Sequence, residues 1–207
     1  MRVDRLTHLT SWLHKEFDII GLTETHAVDQ SIELTGYTSF QLNRQCLHEN
    51  LRGSGGIAVL FKNELFPGIS RHKTSNENIL WIKLKKSFFH SSKDIYLGTA
   101  YFSPVNYEKD NKLDYLRDLE NDLIQISALG KIVLMGDLNS RTGTLQDVLD
   151  QNNILESNDL DLIDRETRPY LKQINSQDKT SDKRGEKLVE LCSSLEMCIL
   201  NGKDRVL

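Results

Sequence analysis

Apolar positions along this chain switch between helical and extended spacing, and the switches mark out its elements. Leu6, Leu9, Trp12 and Leu13 predict an amphipathic helix over residues 4–16. The short apolar run at 17–22 then predicts a buried strand, and a polar loop follows at 29–35. Further strands are predicted at 36–40, 57–61, 79–84 and 95–101, with a glycine-rich turn over 52–56. In the 79–84 strand Leu80, Ile82 and Leu84 alternate with Trp81 and Lys83, which predicts a basic face turned outward. Leu113, Leu116, Leu119, Leu123 and Ile126 define a helix within 108–128, and Gly130 stops it by accepting a left-handed conformation. A buried strand follows at 132–135, a helix at 184–195 and a last apolar strand at 197–200. The polar, weakly periodic stretch 140–182 reads as a surface insertion.

Several consecutive strands suit antiparallel pairing, and the interspersed helices suit packing on sheet faces. The expected fold is an α/β sandwich within a single domain, with sheets inside and helices outside. The 207 residues accommodate one such core. No apolar run approaches the roughly 18 residues of a membrane span, and no signal-peptide pattern follows Met1, so the reading is intracellular, with no membrane and no secretory route. Cys46, Cys192 and Cys198 are odd in number and lack metal-ligand spacing, which fits reduced thiols.

A formal net charge of −4 argues against a module that holds nucleic acid by charge alone. It leaves open an enzyme that meets phosphates through a metal ion, where local charge matters more. Three segments place polar groups directly after a buried strand: Glu24 in 21–26, Tyr101 in 99–104, and Asp137 with Asn139 in 134–139. These residue types suit phosphodiester hydrolysis. A carboxylate holds a hard divalent cation, a second acceptor orients the attacking water, and neutral donors stabilise charge on the phosphate. Glu24 would be the metal ligand, Asp137 the water-orienting base, and Asn139 and Tyr101 the phosphate donors. Strand alternation would put Asp137 and Asn139 on one face, and would give His26 the face of Glu24. Arg141 suits a phosphate contact through its forked guanidinium. Lys83, Lys85, Lys86, Arg71, His72 and Lys73 could face a nucleic-acid backbone, or simply solvent. Gly53, Gly55 and Gly56 lack nucleotide-loop spacing and read as a tight hairpin turn.

Taken as an ordered set, these segments resemble the endonuclease/exonuclease/phosphatase superfamily, and within it the apurinic-type endonuclease domains of non-LTR (LINE-like) retrotransposons. Residues 17–26 resemble the segment placing the family's metal-binding Glu, here Glu24. Residues 52–59 resemble its Gly-rich turn, and 97–104 its active-site tyrosine segment. Residues 131–143 resemble its Gly-Asp-Phe-Asn segment, with Leu138 in the Phe position. Residues 184–202 are similar to the helix and strand that follow in retroelement members.

The resemblance implies a four-layer α/β sandwich of two mixed sheets packed face to face. It implies Mg²⁺ (Mn²⁺ possible) as cofactor and DNA as substrate, cut to leave a 3′-hydroxyl. A nuclear location follows if that DNA is chromosomal. The family also carries an opening strand with an Asn, and a closing Asp and Ser-Asp-His segment. Here the chain begins at the helix after that strand, and no histidine lies beyond His90. An incomplete sandwich with weak or no activity is therefore expected. The alternatives are a lipid or inositol phosphate phosphoesterase of the same superfamily, and a non-catalytic remnant or domesticated binding module.

Overall fold

The computed structural model describes residues 16–27, 31–43, 55–106, 114–145 and 178–200. The chain divides into two compact units, Met1–Asn139 and Ser140–Leu207. The first contains β1 (Ile19–Thr23), β2 (Tyr37–Leu42), β3 (Ile57–Lys62), β4 (Ile69–His72), β5 (Ile79–Leu84), β6 (Ile95–Tyr101) and β7 (Lys131–Asp137). It also holds a 3-10 helix (Asn63–Gly68) and the helices α1 (Lys86–Phe89) and α2 (Tyr115–Ser127). The second unit contains α3 (Lys183–Ser194).

The seven strands among the described residues form two sheets. In the three-stranded sheet β3 lies between β1 and β2, antiparallel to both, so Val59 faces Gly21 on one side and Phe40 on the other. The four-stranded sheet runs β4-β5-β6-β7. Its first three strands are antiparallel neighbours, and β7 joins parallel to β6 after the crossover through α2. The two sheets pack face to face. Ile57, Val59 and Phe61 of β3 share one cluster with Leu80 and Ile82 of β5 and Leu97 and Tyr101 of β6. The intervening Ala58 and Leu60 face the other way and are covered by Leu34 and Tyr37, so β3 is apolar on both faces. The expected α/β sandwich is what forms, with one antiparallel and one mixed sheet.

Helix α2 starts at Asp114, whose side chain accepts from the Arg117 amide at 3.2 Å. Leu119, Leu123 and Ile126 bury at the expected three- and four-residue spacing, but Tyr115 rather than the half-buried Leu116 begins the buried stripe, Asp122 joins it, and Leu113 lies outside the described residues. Its carboxylate accepts from Trp81 Nε1 at 2.8 Å and from Thr74 Oγ1 at 3.2 Å. Trp81 is therefore not outward: it is 1% exposed, its ring lies over Gly98, and its indole N–H is tied to the helix. A two-sided burial of this kind defeats simple alternation. Gly130 also acts differently from expectation. Its backbone is not left-handed; a Cβ there would lie 2.2 Å from the Asp94 carbonyl, so the position needs space.

The predicted strand at 36–40 appears as β2, while β4, α1 and the 3-10 helix were not anticipated. All but Glu16 of the 4–16 helix lies outside the described residues, as do 107–113. Of the cysteines, Cys192 is buried and Cys198 half-buried, and neither is in a disulfide; Cys46 lies outside the described residues. No described helix is long and apolar enough to cross a membrane.

In the second unit, Asp182 caps α3 by accepting from the Gly185 amide at 2.7 Å. Leu188, Val189, Leu191 and Cys192 are buried on it. An isolated bridge pairs Thr142 with Ser181. Residues 146–177 of the expected insertion lie outside the described set. Residues 197–200 carry no strand.

Candidate active site

Strand β1 ends at Thr23, and the chain turns at once. Glu24 and His26 both have left-handed backbones, with φ of 52° and 50°. The turn is held against the start of β3: the Thr25 amide donates to Gly56 O at 3.2 Å and the His26 amide to Gly55 O at 2.9 Å. Gly55 and Gly56 are themselves left-handed, as a tight turn requires; Gly53 lies outside the described residues. Glu24 thus stands exposed at the strand end while its neighbour Thr25 is buried.

Tyr101 closes β6 on the inner face of the four-stranded sheet, 6% exposed. Its phenol donates to Glu24 Oε1 at 2.5 Å, and its amide donates to Asn78 O at 3.0 Å. Parallel pairing of β6 with β7 sets Asp137 opposite Tyr101. The approach is close: Gly136, at φ 127°, leaves no room for a side chain, because a Cβ would lie 2.0 Å from Ala100 O.

Asn139 arrives by a turn, not by strand alternation. The strand stops at Asp137, and Asn139 is left-handed at φ 44°, a conformation that Asn tolerates. Asp137 Oδ1 accepts from the Asn139 amide at 2.9 Å, an Asx turn. The Asn139 side chain then donates from Nδ2 to Phe102 O at 2.8 Å. The Phe102 amide donates to Asp137 O at 2.9 Å. Tyr101, Asp137 and Asn139 are therefore joined through one residue, Phe102. His26 does not share a strand face with Glu24 either, since no strand continues there; its side chain is exposed.

Arg141 belongs to the second unit. Its guanidinium grips Asp178 through Nε–Oδ2 and Nη2–Oδ1, both 2.8 Å, and this holds the Asp178 carboxyl far below its usual range. The expected basic face is also largely engaged. Lys83 pairs with Asp94 at 2.8 Å, Arg71 donates to Gln41 O at 3.3 Å, Lys85 donates to Pro67 O at 3.1 Å, and His72 meets the Tyr96 ring edge-on.

Among the described residues, no three His, Cys, Asp or Glu side chains cluster as a metal cage. The exposed Glu24 carboxylate offers an oxygen donor of the kind a hard divalent cation takes, with water filling the rest of its shell.

Residues 2–172 match the Endonuclease/Exonuclease/phosphatase family. The chain belongs to that family. Solved structures similar to it include TDP2 from Caenorhabditis elegans, at TM-score 0.45 and 13% identity over 67% of this chain and 43% of that one. A humanized D. rerio TDP2 matches at TM-score 0.41 and 15% identity, over 67% of this chain and 56% of that one. The human Nocturnin catalytic domain matches at 0.42 and 16%, over 67% and 57%. The chain thus spans less than two thirds of each of these structures. A comparison with curated proteins finds no match.

Within this endonuclease/exonuclease/phosphatase-family domain, sequence reasoning missed Asn78 and Phe102. Both act through backbone atoms, which carry no residue-type signal. The one hint for Phe102 was its position, an aromatic immediately beyond a strand-end tyrosine.

Proposed function

We propose that this domain hydrolyses DNA phosphodiester bonds with the help of a divalent cation, as a retroelement-type endonuclease leaving a 3′-hydroxyl. The carrying observation is the meeting of Glu24 and Tyr101 from the ends of strands in different sheets, with Asp137 paired opposite Tyr101. Divalent-metal dependence is general in the family. Glu24 would hold the cation, Mg²⁺ or Mn²⁺, which when bound polarises a phosphate oxygen and offsets developing charge. Tyr101 holds the Glu24 carboxylate with its single phenolic proton, and must release Glu24 to donate to the phosphate. Asp137 accepts from the attacking water, and the second Nδ2 proton of Asn139, the one not donated to Phe102 O, stabilises negative charge on the phosphate. Arg141 and His26 are proposed as substrate contacts. Arg141 must exchange Asp178 for phosphate to serve. The order and flanks of the segments around Glu24, Tyr101, Asp137 and Asn139 support the retroelement reading.

Calorimetry with Mn²⁺ on the full chain and on Glu24→Gln tests the ligand, alongside nicking of supercoiled DNA and polymerase extension of the nicks. The proposal expects weaker Mn²⁺ binding in Glu24→Gln and weak nicking whose products are extendable. Identical heats would remove Glu24 as ligand, and nicks that a polymerase fails to extend would overturn the 3′-hydroxyl product.

A further inference from the structure

We infer that Tyr115, at the first turn of α2, is a positioning residue for Asn139 and acts through Phe102. The inference rests on the site reading above. Phe102 lies just beyond β6, and its backbone meets both neighbours: its amide donates to Asp137 O, and its carbonyl accepts Nδ2 of Asn139. The direction of that carbonyl depends on where the Phe102 ring is seated. Tyr101 turns its phenol inward to Glu24, so the next residue turns outward toward the helix. There the Phe102 ring, fully buried, stacks on Tyr115 with centroids 5.0 Å apart and planes at 8°. Tyr115 is also fully buried and is fixed at the helix start beside its Asp114 cap.

The stack therefore transmits a helix position to a side-chain amide. Asn139 needs that anchor. It sits in a left-handed backbone, its amide is held by Asp137, and its side chain is directed by the Phe102 carbonyl. Glu24 reaches the site from the other sheet, its turn held by Gly55 and Gly56, and it meets this chain of contacts only through the Tyr101 phenol. Truncating Tyr115 should accordingly loosen Asn139 and leave the metal ligand in place.

The test uses the full chain with Tyr115→Phe, Tyr115→Leu and Tyr115→Met, a flexible side chain that fills space without a ring face. Four measurements are made: melting temperature, the Asn139 side-chain ¹⁵N–¹H resonances with their solvent exchange, Mn²⁺ affinity, and the kcat and KM of nicking. Tyr115→Phe is expected to keep the Asn139 resonances of the parent. Tyr115→Leu is expected to shift them and speed exchange about tenfold, the weight of one net hydrogen bond. With it kcat falls about tenfold while KM and Mn²⁺ affinity hold. If Tyr115→Leu does not fold, Tyr115→Met carries the same readings. A folded Leu or Met variant with unchanged Asn139 resonances overturns the inference, as does an equal loss in Tyr115→Phe. Failure of the site reading looks different: parent and Glu24→Gln then bind Mn²⁺ alike, while the Asn139 resonances still report on Tyr115.

Discussion

The phenol of Tyr101 donates to the carboxylate of Glu24 across the join between two sheets, at 2.5 Å. One residue ends β6 in the four-stranded sheet and the other follows β1 in the three-stranded one, so the bond exists only when the sheets are packed. Tyr101→Phe keeps the ring and removes the donor. It is expected to cost about 0.5–1.5 kcal/mol in urea denaturation. Combined with Glu24→Gln, it should show a coupling of about 0.5–3 kcal/mol. Strict additivity would mean that the two groups do not interact in solution.

Two glycines near the site differ in what crowds them, and the difference is measurable. A Cβ at Gly21 meets the end of the Met135 side chain at 2.6 Å and Thr99 at 3.0 Å, and the Met135 tip can move aside. A Cβ at Gly136 meets the Ala100 backbone carbonyl, in a backbone unfavourable to any L side chain. Gly136→Ala is expected to destabilise by more than about 1–3 kcal/mol, the usual range for overpacking, and Gly21→Ala by less than Gly136→Ala. Chemical denaturation of the two variants decides the order; the reverse order would show that β7 shifts freely against β6.

Burial raises the carboxyl pKa of Asp122 above its ordinary 3.8, and the bonds from Trp81 and Thr74 only partly oppose it. The folded state therefore binds this proton more tightly than the unfolded chain does. The contribution is fully present below pH 3.8 and is lost as pH rises through the higher folded value. Asp122→Asn keeps a carbonyl acceptor for Trp81 and has no charge to bury. Its stability relative to the parent should climb between pH 3.8 and neutrality, in denaturation series at stepped pH. A flat difference would show that Asp122 titrates alike in both states.

Asp178 shifts the opposite way. The Arg141 fork, with Thr180, lowers its pKa below 3.8. This stabilising contribution is present above pH 3.8 and disappears as pH falls through the lower folded value. Both partners are substantially exposed, so the effect on global stability is expected to be small and salt-sensitive. A ¹³C carboxyl titration should find Asp178 below 3.8 in the parent and higher, but still below 3.8, in Arg141→Gln, where the Thr180 bonds remain. An unchanged titration in the variant would assign the shift to Thr180 alone.

The α/β class, the strands at 57–61, 79–84 and 95–101, and the apolar face of α2 were legible from periodicity, because each reflects contacts within a few residues. So were the segments bearing Glu24, Tyr101, Asp137 and Asn139, since their residue types and flanks are local. Tertiary structure alone decided the rest. It seated β1 and β6 in different sheets, which is what lets Tyr101 reach Glu24. It buried Trp81 by setting Asp122 of α2 against it, where alternation had turned it outward. It brought Asn139 in through an Asx turn and the Phe102 carbonyl, where alternation had extended a strand. It also occupied Arg141 with Asp178, thirty-seven positions along the chain. Periodicity reports which face of an element is apolar. Register between distant strands, and backbone carbonyls that any residue can present, depend on packing that no local pattern encodes.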